Sequence, residues 1–191
     1  MRKLLLLAFA TTLFKFSSAQ ITKGNWLVGG NIAFTHSRPK ITGFDGESEL
    51  DAAVNTGYFF INKLAAGVRL HTQIAKEKIT HPDGSKQKIV QRNVGFGPFL
   101  RYYVLAPDKH VNLFGDAGLL YNINSNNTNS VHSKSLTSSL GAGAVVFLNQ
   151  IVGLEGLLSY SHYALVDTDS DYSSNDFQFK VGLQVHLRKA K

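Results

Sequence analysis

The stretch NVGFGPFLRYYV, Asn93 to Val104, sets a permanently charged arginine inside an apolar and aromatic run. Successive side chains of a β-strand point to opposite faces. An arginine exposed to hydrocarbon would cost about 2 to 4 kcal/mol near the middle of a bilayer. We therefore predict a strand with Arg101 on its inward face, together with Asn93, Gly95, Gly97, Phe99 and Tyr103. The lipid-facing side would then carry Val94, Phe96, Pro98, Leu100, Tyr102 and Val104.

The same alternation with a period of two recurs along the chain. In FQFKVGLQVHL, residues 177–187, every second residue from Phe177 to Leu187 is apolar, and the residues between them are mostly polar. Apart from the N-terminus, no segment has the roughly 20 apolar residues of a membrane helix, and helical periodicity is hard to find. The pattern predicts eight strands, at about 25–36, 48–60, 64–76, 88–104, 110–123, 136–148, 152–165 and 176–188.

The connections between these segments alternate in kind. INK, APDKH and NQI are tight turns, whereas SRPKITGFDGE, EKITHPDGSKQK, NSNNTNSVHSKS and VDTDSDYSSND are long and polar. Short turns at one end and long loops at the other, on an even number of strands, are typical of outer-membrane barrels. We predict an all-β fold, an eight-stranded antiparallel up-and-down transmembrane β-barrel with short periplasmic turns and four longer extracellular loops.

The N-terminus resembles an export signal. Arg2 and Lys3 precede an apolar segment, 4–14, and Ser17 and Ala19 stand where signal peptidase requires small residues. We expect residues 1–19 to be removed and residues 20–191 to form the barrel domain. The chain has no cysteine, which excludes disulfides and a lipid-modified cysteine anchor.

The charge balance points away from nucleic acid. Removing the three basic residues of the signal lowers the formal charge from +7 to +4, and the remaining basic residues form neither a stripe nor a nucleic-acid-binding motif. AKEKITHPDGSKQK, residues 75–88, is the one locally basic stretch. It fits a solvated loop, and phosphate groups of lipopolysaccharide would be its plausible neighbours.

The inward faces of several strands carry charge. Asp116 on the fifth segment and Glu155 on the seventh share the face of Arg101, while Arg69 and Lys180 add positive charge. Eight strands enclose an interior just wide enough for side chains to fill. Our hypothesis is a polar plug made by Arg101, Asp116 and Glu155 with Arg69 or Lys180. The alternative is that these charges are merely solvated in a wet lumen.

Aromatic residues cluster near the ends of the predicted strands. Side chains at such positions commonly form girdles at the membrane interface. Several members of the following set would do so: Trp26, Tyr58, Phe60, Tyr102, Tyr103, Tyr121, Phe147, Tyr160 and Tyr163.

GPFLRYYV followed by NLFGDAGLLY, with KGNWLVGGNIAF and NTGYFFINKLAAGVRL, resembles the small outer-membrane barrel proteins common in Bacteroidetes, described as porin-family or OmpA/OmpX-like barrels. The resemblance covers essentially all of the chain after residue 19 and implies insertion by the barrel-assembly machinery. The ending VHLRKAK departs from the final aromatic residue of such chains. The expected partners are outer-membrane lipid, lipopolysaccharide and an extracellular ligand held by the loops, with the protein a monomer.

Three functions remain open on the sequence. The favoured function is a structural or interaction barrel with a plugged lumen and loops as the contact surface. The second is a narrow or gated porin for ions or small solutes. The third is a lipid A-modifying enzyme, because His162 is predicted near the rim with Ser159, Ser161, Asp167 and Asp169 nearby. No complete catalytic set, metal-ligand spacing or cofactor motif is present, so we predict no catalytic, metal or cofactor site.

Overall fold

The computed structural model describes residues 21–37, 44–80, 85–126, 132–166 and 173–188, which leaves the predicted signal outside the described residues. These residues form a closed barrel in which each strand pairs with its sequence neighbours and the first pairs with the last. All pairings are antiparallel, so the predicted fold class is confirmed. The strands are β1 (Trp26–Ser37), β2 (Phe44–Ile61), β3 (Leu64–Thr80), β4 (Lys86–Tyr103), β5 (Val111–Asn126), β6 (His132–Phe147), β7 (Val152–Leu165) and β8 (Ser173–Leu187).

The strands reach further into the predicted loops than the sequence pattern suggested. β2 begins four residues before the predicted position 48, β3 ends four residues after 76, and β6 begins four residues before 136. Many of these strands have 16 to 18 residues, whereas about 9 to 11 suffice to span a bilayer. The polar ends of the hairpins therefore continue the ladder beyond the apolar part of the wall. The connections between the strands at the polar end of the hairpins lie outside the described residues; they are 38–43, 81–84, 127–131 and 167–172.

Two ends of the barrel can be defined from the connections. The turn end carries the short connections 62–63, 104–110 and 148–151, and the opposite end is the loop end. Side chains of β4 alternate strictly from Val94 to Tyr103, with Phe96 and Leu100 exposed and Phe99 and Arg101 buried. Exposed apolar residues form a belt around the whole barrel. Among the described residues, no helix is long and apolar enough to cross a membrane.

The strand register brings the inward charges to a common level. Arg101 is the cross-strand partner of Asp116 on β5, and Glu155 on β7 lies between Val145 on β6 and Gly182 on β8. Directly opposed residues of an antiparallel pair have Cβ atoms about 4.5 to 5.5 Å apart. The register alone therefore makes Asp116 an immediate neighbour of Arg101. Glu155 has to reach Arg101 across the lumen.

Two glycines provide a matched test of the close packing inside the wall. A methyl group on Gly97 would collide with the backbone carbonyl oxygen of Leu119, whereas one on Gly115 would meet nothing within 4 Å. Overpacking typically costs about 1 to 3 kcal/mol. We expect Gly97→Ala to lower the free energy of unfolding by about that amount, and Gly115→Ala to leave it unchanged or raise it slightly, because alanine restricts the unfolded chain. Urea titration of the refolded protein, with heat-modifiable gel migration as the folding check, measures both; equal stabilities would contradict this account of the wall.

Candidate functional site

The lumen contains three successive layers, beginning with an aromatic layer at the turn end. Phe59, Tyr103, Phe114, Phe147 and His186 are all at most 2% exposed. The ring centroid of Tyr103 lies 5.9 Å from that of Phe59 and 5.8 Å from that of Phe114, and the centroids of Phe147 and His186 are 5.3 Å apart. These tilted and edge-to-face contacts avoid the unfavourable face-to-face stacking of aromatic rings. This aromatic layer fills the lumen at the turn end with close-packed rings.

Residues 21–25, which precede β1, pack across the turn end of the barrel. Ile21 is fully buried and belongs to the apolar cluster that contains Phe59 and Tyr103. The amide of Gly24 donates to the carbonyl of Phe59 at 2.8 Å, and the amide of Lys63 donates to the carbonyl of Ile21 at 2.8 Å. The start of the described chain is therefore pinned across the turn end of the barrel. The side chain of Ile21 packs into the buried apolar cluster at that end.

A layer of buried charge lies above the aromatic layer. Arg101, which is fully buried, donates from Nε to Asp116 Oδ2 at 2.9 Å and from Nη1 to Glu155 Oε2 at 2.6 Å. Arg69 completes the group by donating from Nη2 to both carboxylate oxygens of Asp116, at 2.9 and 3.0 Å. We call these four residues the charge layer. Two guanidinium groups and two carboxylates give it no net formal charge.

Uncharged contacts complete the charge layer. Gln184 Nε2 donates to the second oxygen of Glu155 at 2.9 Å, and Asn55 Nδ2 donates to Gln184 Oε1 at 3.3 Å. The guanidinium carbon of Arg101 lies 4.3 Å from the ring centroid of Phe114, and that of Arg69 lies 4.9 Å from the ring centroid of Phe99. Cation–π attraction strengthens when the cation is desolvated. The charge layer therefore rests on aromatic rings.

The fifth predicted member of the network belongs to a separate cluster. Lys180 Nζ donates to Asp51 Oδ1 at 3.2 Å, and the other Asp51 oxygen lies 2.7 Å from His71 Nε2. Glu49, two residues along β2, accepts from Gln73 Nε2 at 2.8 Å. The structure thus joins Arg69, and not Lys180, to Arg101, Asp116 and Glu155. Neither Asp51 nor Glu49 was among the sequence-predicted residues, although both lie on the inward face by the same alternation.

The third layer is an open polar cup towards the loop end, with a cavity of about 690 Å³. One side of its wall carries acidic residues, among them Glu47, Glu49, Asp51 and Asp176, and the other is rich in serine and asparagine. Arg69 and Asp116 also line the cup, so its floor is the charge layer. Access from the loop end therefore stops at the buried ion pairs.

Three of the residues considered for the interfacial girdle lie elsewhere. Tyr103 and Phe147 are buried in the aromatic layer, and Tyr163 lines the cup, where its hydroxyl accepts from Asn124 Nδ2 at 3.1 Å. Odd-numbered residues of β4, β6 and β7 face the lumen, so these three side chains point inward. The distance of a residue from a strand end does not show which face it lies on. Trp26 and Tyr102 do remain outward, each 48% exposed.

The residues considered for catalysis do not converge among the described residues. His162 is exposed on the outside of β7 and shares a 2.8 Å hydrogen bond between Nδ1 and Asn175 Oδ1. Ser159 and Ser161 line the cup on the inside of the wall. Asp167, like Asp169, lies outside the described residues. Within the described part of the chain, no group of three or more His, Cys, Asp or Glu residues could hold a metal ion.

Comparison with known proteins agrees with this architecture. The model of a family described as outer membrane protein beta-barrel domain matches residues 4–184. The crystal structure of Neisserial surface protein A matches with a TM-score of 0.56 at 15% identity, covering 85% of this chain and 97% of that one. The outer membrane protein OprG from Pseudomonas aeruginosa gives 0.50 at 16% identity, covering 89% and 99%. At these identities the two structures show the fold. Comparison with curated proteins gave no match.

Removal of Arg101 should unbalance the charge layer. Arg101→Ala leaves Glu155 buried without its cation and Asp116 with Arg69 alone, and breaking a buried pair typically costs about 3 to 5 kcal/mol. Lys180→Ala is the matched control, because Lys180 is more exposed and Asp51 keeps His71 as a neighbour. We expect the Arg101 variant to lose clearly more free energy of unfolding in urea titration. If both variants lost the same amount, the charge layer would have no special role in stability.

Proposed function

The chain belongs to the outer membrane protein beta-barrel domain family, and from this premise we propose that it is a sealed barrel of the bacterial outer membrane with a structural or interaction role. In this membrane the short turns of a barrel face the periplasm and the longer loops face the exterior. The aromatic layer then lies on the periplasmic side and the cup opens outward. The observation that carries the proposal is the succession of a charge layer and an aromatic layer across one narrow lumen.

Both layers oppose the passage of ions. Arg101 and Glu155 are fully buried and bonded to each other at 2.6 Å, so a conducting path would have to separate them. The separated charges would lose their partners in a site of low dielectric constant, which is costly. In the aromatic layer, the packed rings of Tyr103, Phe114 and Phe147 would have to move aside before a hydrated ion could pass. The sealed barrel follows from the cost of opening both layers.

The proposed contact surface is the extracellular end. The cup is accessible from outside, and the polar hairpin ends extend the wall around it. A molecule entering the cup would meet carboxylates on one side and hydroxyl and amide groups on the other, and would stop at the charge layer. This geometry supports binding or contact at the cell surface, with no transfer through the barrel.

The second candidate is a narrow or gated channel. The observation in its favour is that the cup already brings solvent down to Arg69 and Asp116, so only the two lower layers would have to open. The lipid A-modifying enzyme has less support, because His162 and the two nearby serines lie on opposite sides of the wall. The proposed role is therefore non-enzymatic.

Single-channel recording in planar bilayers tests the seal. We expect the refolded protein, residues 20–191, to give no discrete currents, because the charge layer and the aromatic layer both close the lumen. We expect Arg101→Ala combined with Tyr103→Ala and Phe147→Ala to give steady currents, since the three side chains lie in the two layers.

The matched control replaces an outward aromatic residue. Tyr102 neighbours Tyr103 in sequence but faces outward, 48% exposed. Combining Arg101→Ala with Tyr102→Ala and Phe147→Ala keeps the number of truncations the same while leaving Tyr103 in place, and should give weaker currents or none. Steady currents through the unaltered protein would overturn the sealed barrel in favour of the channel, provided that heat-modifiable migration shows it folded.

A further inference from the structure

Four lysines gather on the outward face of the β3–β4 hairpin, beyond the apolar belt. Lys76 and Lys78 on β3 and Lys86 and Lys88 on β4 are all exposed. Their even positions place them on the same outward face as Leu70, which is 60% exposed in the belt. We call these four residues the basic face. Arg92, also on β4, lies at its lower edge opposite Ile74.

The strand register sets two of these lysines directly against each other. Lys78 is the cross-strand partner of Lys88, and like charges at directly opposed positions destabilise a strand pair. Among the described residues, neither ammonium group has a carboxylate within ion-pair distance. The hairpin therefore carries a repulsion that its own described residues do not relieve. A bound anion between the two strands would relieve it.

The carboxylates at the same height face the other way. Glu77 has inward parity and accepts from Gln91 Nε2 at 3.2 Å, and its cross-strand partner Glu47 lines the cup. Outward neighbours on β2 are Ser48 opposite Lys76 and Gly46 opposite Lys78, which carry no charge. In the described part of this hairpin, the glutamate thus lies on the inward face and the lysines lie on the outward face, so the outward face carries positive charge.

The position of the basic face fits one kind of anion. Ile74 is the last apolar residue on the outward face of β3 before Lys76. Lys76 lies two residues further, a distance of about 7 Å along the strand. This distance is comparable with the thickness of the polar layer on each side of a bilayer, about 5 to 8 Å. Lys78, Lys86 and Lys88 lie further along the strands towards the loop end, a distance from Ile74 that exceeds the thickness of a phospholipid headgroup layer. We propose that the basic face binds the phosphate groups of lipopolysaccharide in the outer leaflet. Phosphates on its sugars extend outward from the membrane surface, along the direction in which the lysines are arranged.

The test is titration of the folded protein, residues 20–191 in zwitterionic detergent, with purified lipopolysaccharide. Each lysine near an anionic lipid surface contributes about 1 kcal/mol, so Lys78→Gln with Lys88→Gln should weaken the affinity about thirtyfold. The control, Lys23→Gln with Lys109→Gln, removes the same charge from exposed residues at the turn end and should leave the affinity unchanged. Without lipopolysaccharide, the Lys78 and Lys88 variant should be at least as stable as the unaltered protein, because the repulsion is gone.

Two further ligands identify the source of the phosphate. Dephosphorylated lipopolysaccharide and phosphatidylglycerol vesicles should both bind the unaltered protein more weakly than lipopolysaccharide does. Equal binding of the dephosphorylated form, or no difference between the two double variants, would overturn the proposal. Equal binding of phosphatidylglycerol would replace it with a surface for any anionic lipid. These results do not depend on whether the lumen conducts, so the sealed barrel and the basic face can fail separately.

Discussion

The whole structure depends on the need to neutralise an arginine inside a wall that faces lipid. Arg101 lies in a strand whose outward residues must be apolar, so its side chain can only point into the lumen. In the lumen it is fully buried, and an uncompensated charge there would be costly. Asp116 and Glu155 supply two carboxylates, and Arg69 restores neutrality by binding the shared Asp116. Three features of the fold bring the partners to Arg101: the inward orientation of its side chain on β4, the register with β5, and the closure of the barrel, which brings β7 near.

The aromatic layer and the charge layer support each other. Phe114 packs against the guanidinium of Arg101 and also contacts Tyr103, so a single ring joins the charge layer to the aromatic layer. Buried ion pairs contribute little net stability when they are compared with well-packed apolar residues. Their effect is instead to fix one arrangement of strands, since any slip of register by one residue would turn Arg101 towards lipid.

Alternation was enough to predict which side chains enter the lumen, but not how they pair there. The inward parity of Arg69, Arg101, Asp116 and Glu155 follows directly from the sequence, as does the number of strands. The choice between Arg69 and Lys180 depends on the stagger of strands that are not neighbours, and no local pattern encodes that stagger. Strand ends were underestimated because serine, asparagine and lysine in the hairpins suggest loops, although the ladder continues through them. The aromatic layer was missed for a different reason. Alternation predicts Tyr103 on the inward face, but Tyr103 and Phe147 were also considered for the interfacial girdle because both lie near strand ends, and no local pattern shows that their rings meet.

The same alternation that keeps Arg101 away from lipid also places positive and negative side chains on different faces of β2 and β3 beyond the apolar belt. Above the apolar belt either face of a strand can meet water, so hydrophobicity no longer dictates which residues point inward. Nevertheless Glu47, Glu49 and Glu77 have inward parity while Lys76 and Lys78 have outward parity. In this outer part of β2 and β3 the two signs lie on opposite faces of the wall, whereas deeper in the barrel Arg69 and Lys180 carry positive charge inside. Alternating lysine and glutamate along β3 places positive charge on the outward face of the wall and negative charge on the inward face. Beyond the apolar belt, the two faces of this hairpin therefore carry opposite charge, which is the arrangement that the proposed basic face requires.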